Sequence, residues 1–121
     1  MKIHESAENY LEAILVLHRS KGAVRSIDVA QHLGYSKPSV SRAVGLLREN
    51  DYIEVDSNGY LILTKSGLEI AERIYERHEL ISVWLTRLGV DAEIAAEDAC
   101  RMEHVLSEQT FTALKKHFEN L

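Results

Sequence analysis

The sequence predicts a mostly α-helical fold with one small β-hairpin, arranged as a winged helix-turn-helix followed by a helical domain. Two short amphipathic segments flank a turn that contains Gly34, which is typical of a helix-turn-helix. A turn-forming "DSNG" between two β-prone runs follows them directly, as a wing does. Downstream of the hairpin, apolar residues recur at helical spacing.

Bulk composition bounds the class of protein. The chain has 121 residues, of which 45% are hydrophobic, and a single cysteine. One or two small globular units without a disulfide framework are therefore expected. No apolar run approaches the about 20 residues of a membrane span, and the first residues, "MKIHESAENY", lack the apolar core of a secretion signal. We expect a cytoplasmic protein with no membrane partner.

Charge is distributed unevenly along the chain. Residues 1–65 hold 8 Lys and Arg and 8 Asp and Glu, whereas residues 66–121 carry the whole net charge of −5. This asymmetry predicts two domains with different partners, at residues 1–70 and 71–121. Overall acidity argues against non-specific nucleic-acid binding, but not against a local basic surface.

Three helices are expected in the first domain, at residues 6–20, 26–33 and 37–50. Each begins close to a serine whose hydroxyl can accept a free backbone N–H group. These predicted caps are Ser6, Ser26 and Ser36. Gly34 should end the second helix, and Pro38 fits the first turn of the third. The wing is expected at residues 52–64, with Asn58 and Gly59 at the positive-φ positions of its turn.

The second domain should contain three further helices, at residues 66–88, 92–106 and 109–120. Ser66 and Glu69 are predicted to form a capping box at the start of the first, and Gly89 should end it. Asp91 is the expected cap of the next helix. The apolar residues of this domain are too many for so small a unit to bury alone, so we expect a homodimer through it.

The start of the third helix has the side chains of a DNA-reading surface. In a helix-turn-helix the N-terminal residues of the second helix enter the major groove, where an arginine can bind a guanine edge. Arg42 is the expected base reader, and Arg25 and Arg48 suit phosphates. The other candidates are Ser36, Lys37, Pro38, Ser39 and Ser41. Alternatively, the serines only cap the helix, the basic residues are solvated, and the winged helix binds protein.

The segment "ACRMEHV" brings three kinds of metal ligand to one side of a predicted helix. Cys100, Glu103 and His104 stand at i, i+3 and i+4. Donors on two other helices can join them, in a site built by the tertiary fold rather than by zinc-finger spacing. These donors are His78, Asn9 and Glu12. The alternative is a buried thiol beside a solvated Glu–His pair.

Four segments of the chain together resemble a known family. They are "SAENYLEAILVL", "SIDVAQHLGYSKPSVSRAVGLLRENDYI", "LTKSGLEIAERIYERHELI" and "EDACRMEHVLSE". They are similar, over essentially the whole chain, to the diphtheria-toxin-repressor family of metal-dependent transcriptional repressors. The resemblance implies an N-terminal winged helix-turn-helix and a helical domain for metal binding and dimerisation. It also implies a homodimer that represses metal homeostasis genes by binding operator DNA when loaded with Fe(II) or Mn(II), with no small-molecule substrate.

Residue by residue, the resemblance implies a hybrid metal site. The iron branch uses a donor of the first helix, where it has a methionine, with a Cys, a Glu and a His of a later helix. The manganese branch uses two carboxylates of the first helix, a His of the long helix, and two Glu and a His of the later one. The matching positions hold Asn9, Glu12, His78, Cys100, Glu103 and His104. Glu12 follows the manganese pattern and Cys100 the iron pattern, while Ser82 and Ala96 argue against the ancillary site of the iron branch.

The ligand set favours Fe(II) as the effector. Because thiolate is a soft ligand and Mn(II) prefers carboxylate and water, Cys100 shifts the preference towards Fe(II), and towards Zn, Co or Ni in vitro. Two alternatives stay open: a Mn(II)-responsive repressor of manganese transport, and a winged-helix regulator that senses oxidation through Cys100. An enzyme is not expected, because the sequence has no Ser/His/Asp arrangement, phosphate loop or H-E-x-x-H motif.

Overall fold

The computed structural model describes residues 5–120, which form six α-helices and one two-stranded antiparallel sheet. The predicted class, mostly α with one hairpin, is confirmed. The elements are α1 (Glu5–Lys21), α2 (Ser26–Leu33), α3 (Lys37–Glu49), β1 (Ile53–Val55), β2 (Leu61–Leu63), α4 (Lys65–Arg87), α5 (Ala92–Val105) and α6 (Glu108–Glu119). The chain divides into two compact units, Met1–Glu72 and Arg73–Leu121.

The first unit is a helix-turn-helix with a wing. Gly34, at φ 72°, ends α2 in the left-handed conformation. Ser36 caps α3 as predicted, because its hydroxyl oxygen accepts the Ser39 N–H at 3.3 Å, and Pro38 lies in the first turn. The helices and strands of the unit bury apolar side chains in one core, as the periodic spacing of those residues along the sequence predicts. The largest fully buried ones are Leu11, Ile14, Val24, Val29, Val40 and Ile53.

Two of the predicted serine caps are wrong. The structure has α1 already helical at Glu5, so Ser6 lies inside its first turn. α2 begins at Ser26, which leaves Arg25 in the cap position. The physical reason is that the Asp28 carboxylate accepts the Arg25 N–H at 2.8 Å, and this bond fixes the start of α2 from within its first turn.

The wing is a short hairpin whose turn is organised by one aspartate. Ile53 pairs with Leu63, and one oxygen of Asp56 accepts the N–H groups of Asn58 and Tyr60, each at 2.9 Å. Gly59 has φ 82°, but Asn58 is not in the positive-φ region, so that part of the turn prediction is wrong. The Asp56 carboxylate organises the turn by accepting two backbone N–H groups, and the turn forms with Gly59 as its one positive-φ residue.

The start of α4 depends on a threonine and a glycine. Thr64, not Ser66, is the cap, because its hydroxyl oxygen accepts the Gly67 N–H at 3.2 Å. The predicted capping box of Ser66 and Glu69 is therefore wrong. Gly67 is buried against the Tyr52 carbonyl group, and a Cβ atom at this position would collide with that oxygen. The close approach of α4 to the wing thus requires glycine.

The second unit contains the rest of α4 together with α5 and α6. Gly89, at φ 105°, follows the end of α4, and Asp91 caps α5 by accepting the Glu93 N–H at 3.2 Å, both as predicted. Ser107 caps α6. The apolar residues buried here are Ile74, Ile81, Ala95, Ala99 and Phe111. None of the helices within residues 5–120 is long and apolar enough to cross a membrane.

We expect Asp28→Asn to destabilise the protein in a pH-dependent way. The Lys21 ammonium, at 2.7 Å, and the Arg25 N–H hold the pKa of the Asp28 carboxyl below its ordinary 3.8. A carboxyl group whose pKa is lowered on folding stabilises the folded state at pH values above its ordinary pKa. This stabilisation is lost as the pH falls through the folded-state pKa. Near neutral pH the variant should lose about 1 kcal/mol of unfolding free energy in urea titrations. A difference from wild type that persists unchanged well below pH 3.8 would contradict this account.

We expect Gly67→Ala to lower the unfolding free energy by about 1–3 kcal/mol, because the added methyl group forces α4 away from Tyr52. Gly45→Ala is the matched control. Gly45 lies within α3 with no neighbouring atom near its missing Cβ, so this change should stabilise the protein by about 0.5–1 kcal/mol. Urea unfolding followed by circular dichroism measures both. Equal effects of the two substitutions would disprove the steric argument.

Candidate functional site

Three potential metal ligands converge in the second unit. His78 projects from α4, and Cys100 and Glu103 project from neighbouring turns of α5. One ligand atom from each lies within 4.8 Å of the others. The His78 Nδ1 atom is 2.9 Å from a Glu103 carboxylate oxygen and 3.8 Å from the Cys100 sulfur. The structure thus brings together, from two helices, three of the residues that the sequence predicts as metal ligands.

The cluster is buried at one end and open at the other. The Glu103 side chain is 0% exposed, His78 is half-buried, and Cys100 is exposed. A buried carboxylate is costly unless positive charge and hydrogen bonds compensate it. Because Cys100 is exposed, the thiol end of the cluster faces solvent.

His104 lies on the other side of the same carboxylate. Its Nε2 atom is 3.3 Å from the second oxygen of Glu103, and its side chain is buried. Two imidazoles, His78 and His104, therefore flank Glu103, one near each oxygen. His104 is not one of the three residues whose ligand atoms cluster within 4.8 Å, so its part in metal binding stays a prediction.

The remaining predicted ligands belong to the first unit. Asn9 and Glu12 lie one turn apart on α1, and both are half-buried. Their one-turn spacing agrees with the shared helix face that the sequence predicts. Their participation in a metal site stays a prediction.

The donor chemistry fits a divalent transition metal. Thiolate sulfur, imidazole nitrogen and carboxylate oxygen suit Fe(II), Co(II), Ni(II) and Zn(II), and Mn(II) is served mainly by the carboxylate and by water. An all-oxygen site of the kind that Ca²⁺ or Mg²⁺ prefers is not present in this cluster. A bound cation would neutralise the buried Glu103 carboxylate and join α4 to α5.

One buried cation in this region was not predicted from the sequence. Arg77, the neighbour of His78, is only 5% exposed, and its guanidinium donates to the carbonyl oxygens of Glu103 and Leu106. Its spacing from Ile74 and Ile81 places a charged residue on the apolar stripe of α4. This was the signal that could have identified it.

The predicted DNA-reading residues lie at the start of α3. Lys37, Pro38, Ser41 and Arg42 are exposed, whereas the Ser36 and Ser39 hydroxyls bond to each other at 2.9 Å. A groove of about 220 Å³ runs between the starts of α2 and α3 and is lined by Ser26, Ile27, Lys37 and Ser41. The structure therefore leaves a basic and hydroxyl-bearing surface open at the start of this helix.

Arg42 lies near a pair of tyrosines. The rings of Tyr10 and Tyr35 meet edge to face, with centroids 5.8 Å apart. Burial, and then the Tyr35 phenol, raise the pKa of Tyr10, and the Arg42 guanidinium opposes this rise. An aromatic side chain, that of Tyr10, therefore neighbours the predicted base reader Arg42.

The other two predicted phosphate contacts have different surroundings. Arg25 is exposed, and its guanidinium lies 4.7 Å above the ring of Tyr60, which follows the turn of the wing. The Leu61 N–H also bonds to the Val24 carbonyl at 2.7 Å, so two contacts hold the wing against the segment before α2. Arg48 instead lines a groove that includes Asp51 and Glu54, which lowers its suitability for phosphate.

Comparisons with known proteins agree with both units. Residues 2–61 match the family described as "Iron dependent repressor, N-terminal DNA binding domain", and residues 64–121 match "Iron dependent repressor, metal binding and dimerisation domain". The transcriptional regulator MntR of Escherichia coli is 37% identical over 111 residues, which cover 92% of this chain and 72% of MntR.

Two solved structures have the same fold. The manganese regulator SloR is 29% identical with a TM-score of 0.83, and T. acidophilum IdeR is 28% identical with a TM-score of 0.79. Each comparison covers 98% of this chain but 55% of the other, so the chain spans about half the length of these relatives. Because the two family matches account for nearly all of its residues, the chain belongs to the iron-dependent repressor family, as its resemblance in sequence implied.

Proposed function

We propose that this protein is a metal-responsive transcriptional repressor that binds operator DNA as a homodimer. The observation that carries this proposal is the cluster of His78, Cys100 and Glu103 within the region that matches a metal-binding domain. The helix-turn-helix in the region that matches a DNA-binding domain supplies the second half of the function. A regulator of this kind needs no catalytic residues, and no enzymatic step is proposed.

The DNA-binding role follows from the exposed start of α3. A recognition helix inserts its first turns into the major groove, where Arg42 can bind a base edge and Ser41 can approach closely. Lys37, at the groove between α2 and α3, suits a phosphate. Arg25 suits a second phosphate, because Tyr60 restrains its guanidinium beside the turn of the wing.

The homodimer is supported by apolar surface on the second unit. This unit matches a dimerisation domain, and several large apolar side chains on α4, on α5 and in the turn between them are exposed. They are Val83, Leu88, Ile94 and Val105. Exposed apolar patches on so small a unit are typical of interaction surfaces.

We propose His78, Cys100, Glu103 and His104 as metal ligands of the second unit, and Asn9 and Glu12 as ligands contributed by α1. A bound divalent metal would act as a Lewis acid that draws these donors together and neutralises Glu103. Glu103 supplies the buried negative charge, His78 fixes its orientation through the 2.9 Å contact, and Cys100 faces solvent. Metal favours DNA binding only to the extent that it binds the DNA-binding conformation of the protein more tightly than a conformation that does not bind DNA.

Two metals compete as the effector. Mn(II) fits the comparisons better, because SloR is a manganese regulator. Fe(II) is the second candidate, because the Cys100 thiol is a softer donor than Mn(II) prefers. The sequence-based preference for Fe(II) stays a prediction. Anaerobic titration of each metal against promoter DNA separates the two, and retardation that responds to peroxide but not to metal would instead indicate a redox sensor.

Removal of a ligand should abolish metal-stimulated DNA binding. Substitution of a residue outside the coordination shell typically weakens metal binding about 10–100-fold. We expect Cys100→Ser and Glu103→Gln to weaken it by more than this. His104→Ala should match them if His104 is a ligand, and should fall within that range if it only supports Glu103. Anaerobic calorimetry measures the affinity, and gel retardation measures the DNA response.

The control for the ligand variants is His117→Ala, which removes an exposed imidazole on α6. It should bind metal as wild type does, and all variants should keep the wild-type circular dichroism spectrum. Glu12→Ala tests α1: a loss as large as that of Glu103→Gln, with two metals per chain, indicates a two-metal site. Wild-type metal response in Glu103→Gln would show that the cluster is not the regulatory site.

Arg42→Ala should weaken operator binding. If Arg42 reads a base, we expect a loss of about 1–3 kcal/mol and relaxed specificity at one position. If it contacts only phosphate, all sequences should weaken alike and the salt dependence should fall. Lys116→Ala, which removes an equal charge from the exposed surface of α6, is the control. An unchanged affinity and salt dependence in Arg42→Ala would remove this residue from the interface.

A further inference from the structure

We propose that Arg77 is a positioning residue for the metal centre, which holds the last turn of α5 so that the Glu103 carboxylate faces His78. This inference rests on the proposed metal-binding function. It assigns a role to a residue that is not itself a ligand, and whose guanidinium contacts the main chain of α5 rather than the cluster of donor atoms.

Arg77 and its neighbour His78 hold the same residue at two points. One guanidinium nitrogen of Arg77 donates to the Glu103 main-chain carbonyl at 3.1 Å, and His78 lies 2.9 Å from the Glu103 carboxylate. Consecutive residues of α4 thus fix both the backbone and the side chain of one glutamate. With both ends held, the carboxylate has little freedom to turn away from the cluster.

The contacts of Arg77 satisfy the free end of α5. The last carbonyl groups of a helix have no partner within the helix, and a cation there also interacts favourably with the helix dipole. The same Arg77 nitrogen that bonds to Glu103 donates to the Leu106 carbonyl at 2.7 Å, just beyond the end of α5 at Val105. Arg77 therefore stabilises the turn of α5 that carries Glu103 and His104.

Two residues of α6 hold the guanidinium itself in place. Its other terminal nitrogen donates to a Glu108 carboxylate oxygen at 3.0 Å, and the group lies 5.1 Å from the centre of the Phe111 ring. The Arg77 side chain is 6% exposed, whereas that of Glu108 is 71% exposed. The contact with α5 is thus buried, and the one with Glu108 is open to water and contributes less.

Loss of Arg77 should weaken metal binding without removing a ligand. The last turn of α5 would lose two hydrogen bonds, and a metal would then have to order Glu103 as it binds. Partners outside the coordination shell typically contribute about 10–100-fold to metal affinity. We expect a loss of this size in Arg77→Met, which keeps an unbranched apolar stem but has no donor.

The experiment measures Co(II) affinity of the full chain by anaerobic absorbance titration, together with amide hydrogen exchange of the metal-free protein. Arg77→Met should bind Co(II) about 10–100-fold more weakly, and exchange should rise in the last turn of α5. Arg77→Lys, which keeps the charge and one donor nitrogen on a side chain that is shorter by one atom, should show a smaller loss. It also provides a test if Arg77→Met does not fold.

Two controls separate positioning from general stability. Glu108→Gln alters the same guanidinium contact on the exposed side and should leave Co(II) affinity within about twofold, because the bonds to α5 remain. Ile74→Val loosens the core of the unit and removes none of the groups that hold Arg77. An equal loss of affinity in Ile74→Val, at matched stability, would reduce Arg77 to a general stabiliser and overturn the proposal.

Failure of this inference is distinguishable from failure of the proposed function. Wild-type Co(II) affinity in both Arg77→Met and Arg77→Lys, with affinity lost in Glu103→Gln, overturns only the role of Arg77. Wild-type affinity in Glu103→Gln as well overturns the metal site, and the role of Arg77 with it. Unchanged hydrogen exchange in the last turn of α5 contradicts the positioning role whatever the metal affinity.

Discussion

The second unit depends on how one buried carboxylate, that of Glu103, is neutralised. Transfer of a carboxylate from water to a protein interior costs several kcal/mol even after relaxation. Here an imidazole lies near each oxygen, and an arginine bonds to the main chain of the same residue. A divalent cation would supply the compensating charge, so the same architecture that makes the carboxylate tolerable also suits a cation.

Metal binding at this point would act on the stability of the unit as well as on its shape. A ligand that binds only the folded state at 100 times its dissociation constant stabilises that state by about 2.7 kcal/mol. Because His78 is on α4 and Cys100 and Glu103 are on α5, this free energy would hold two helices together. The fraction of the unit that has this folded helix arrangement would then depend on metal concentration. The surface that the helices form would respond to metal in the same way.

The elements were predictable from the sequence, but the bonds at their ends were not. Apolar spacing placed all six helices to within one or two residues, and Gly34, Ser36 and Asp91 act as predicted. The predicted caps Ser26 and Ser66 failed because neighbouring residues made better bonds. Asp28 and Thr64 reach the free N–H groups instead, and a spacing rule cannot rank adjacent polar residues. Arg77 and Tyr60 were missed for a similar reason, since their roles depend on tertiary contacts with Glu103 and Arg25.

For the proposed DNA-binding role, charge placement matters more than charge total. The first 65 residues are neutral overall, so a diffuse basic field does not attract this unit to DNA, and residues 66–121 are acidic enough to be repelled by it. The attraction must come from a few cations held in place. Arg25 is restrained by Tyr60 and by the Asp28 bond to its own N–H, and Lys37 and Arg42 stand on a capped helix. Few phosphate contacts mean a shallow salt dependence and weak non-specific binding, which leaves the base contacts of α3 to decide where the protein binds.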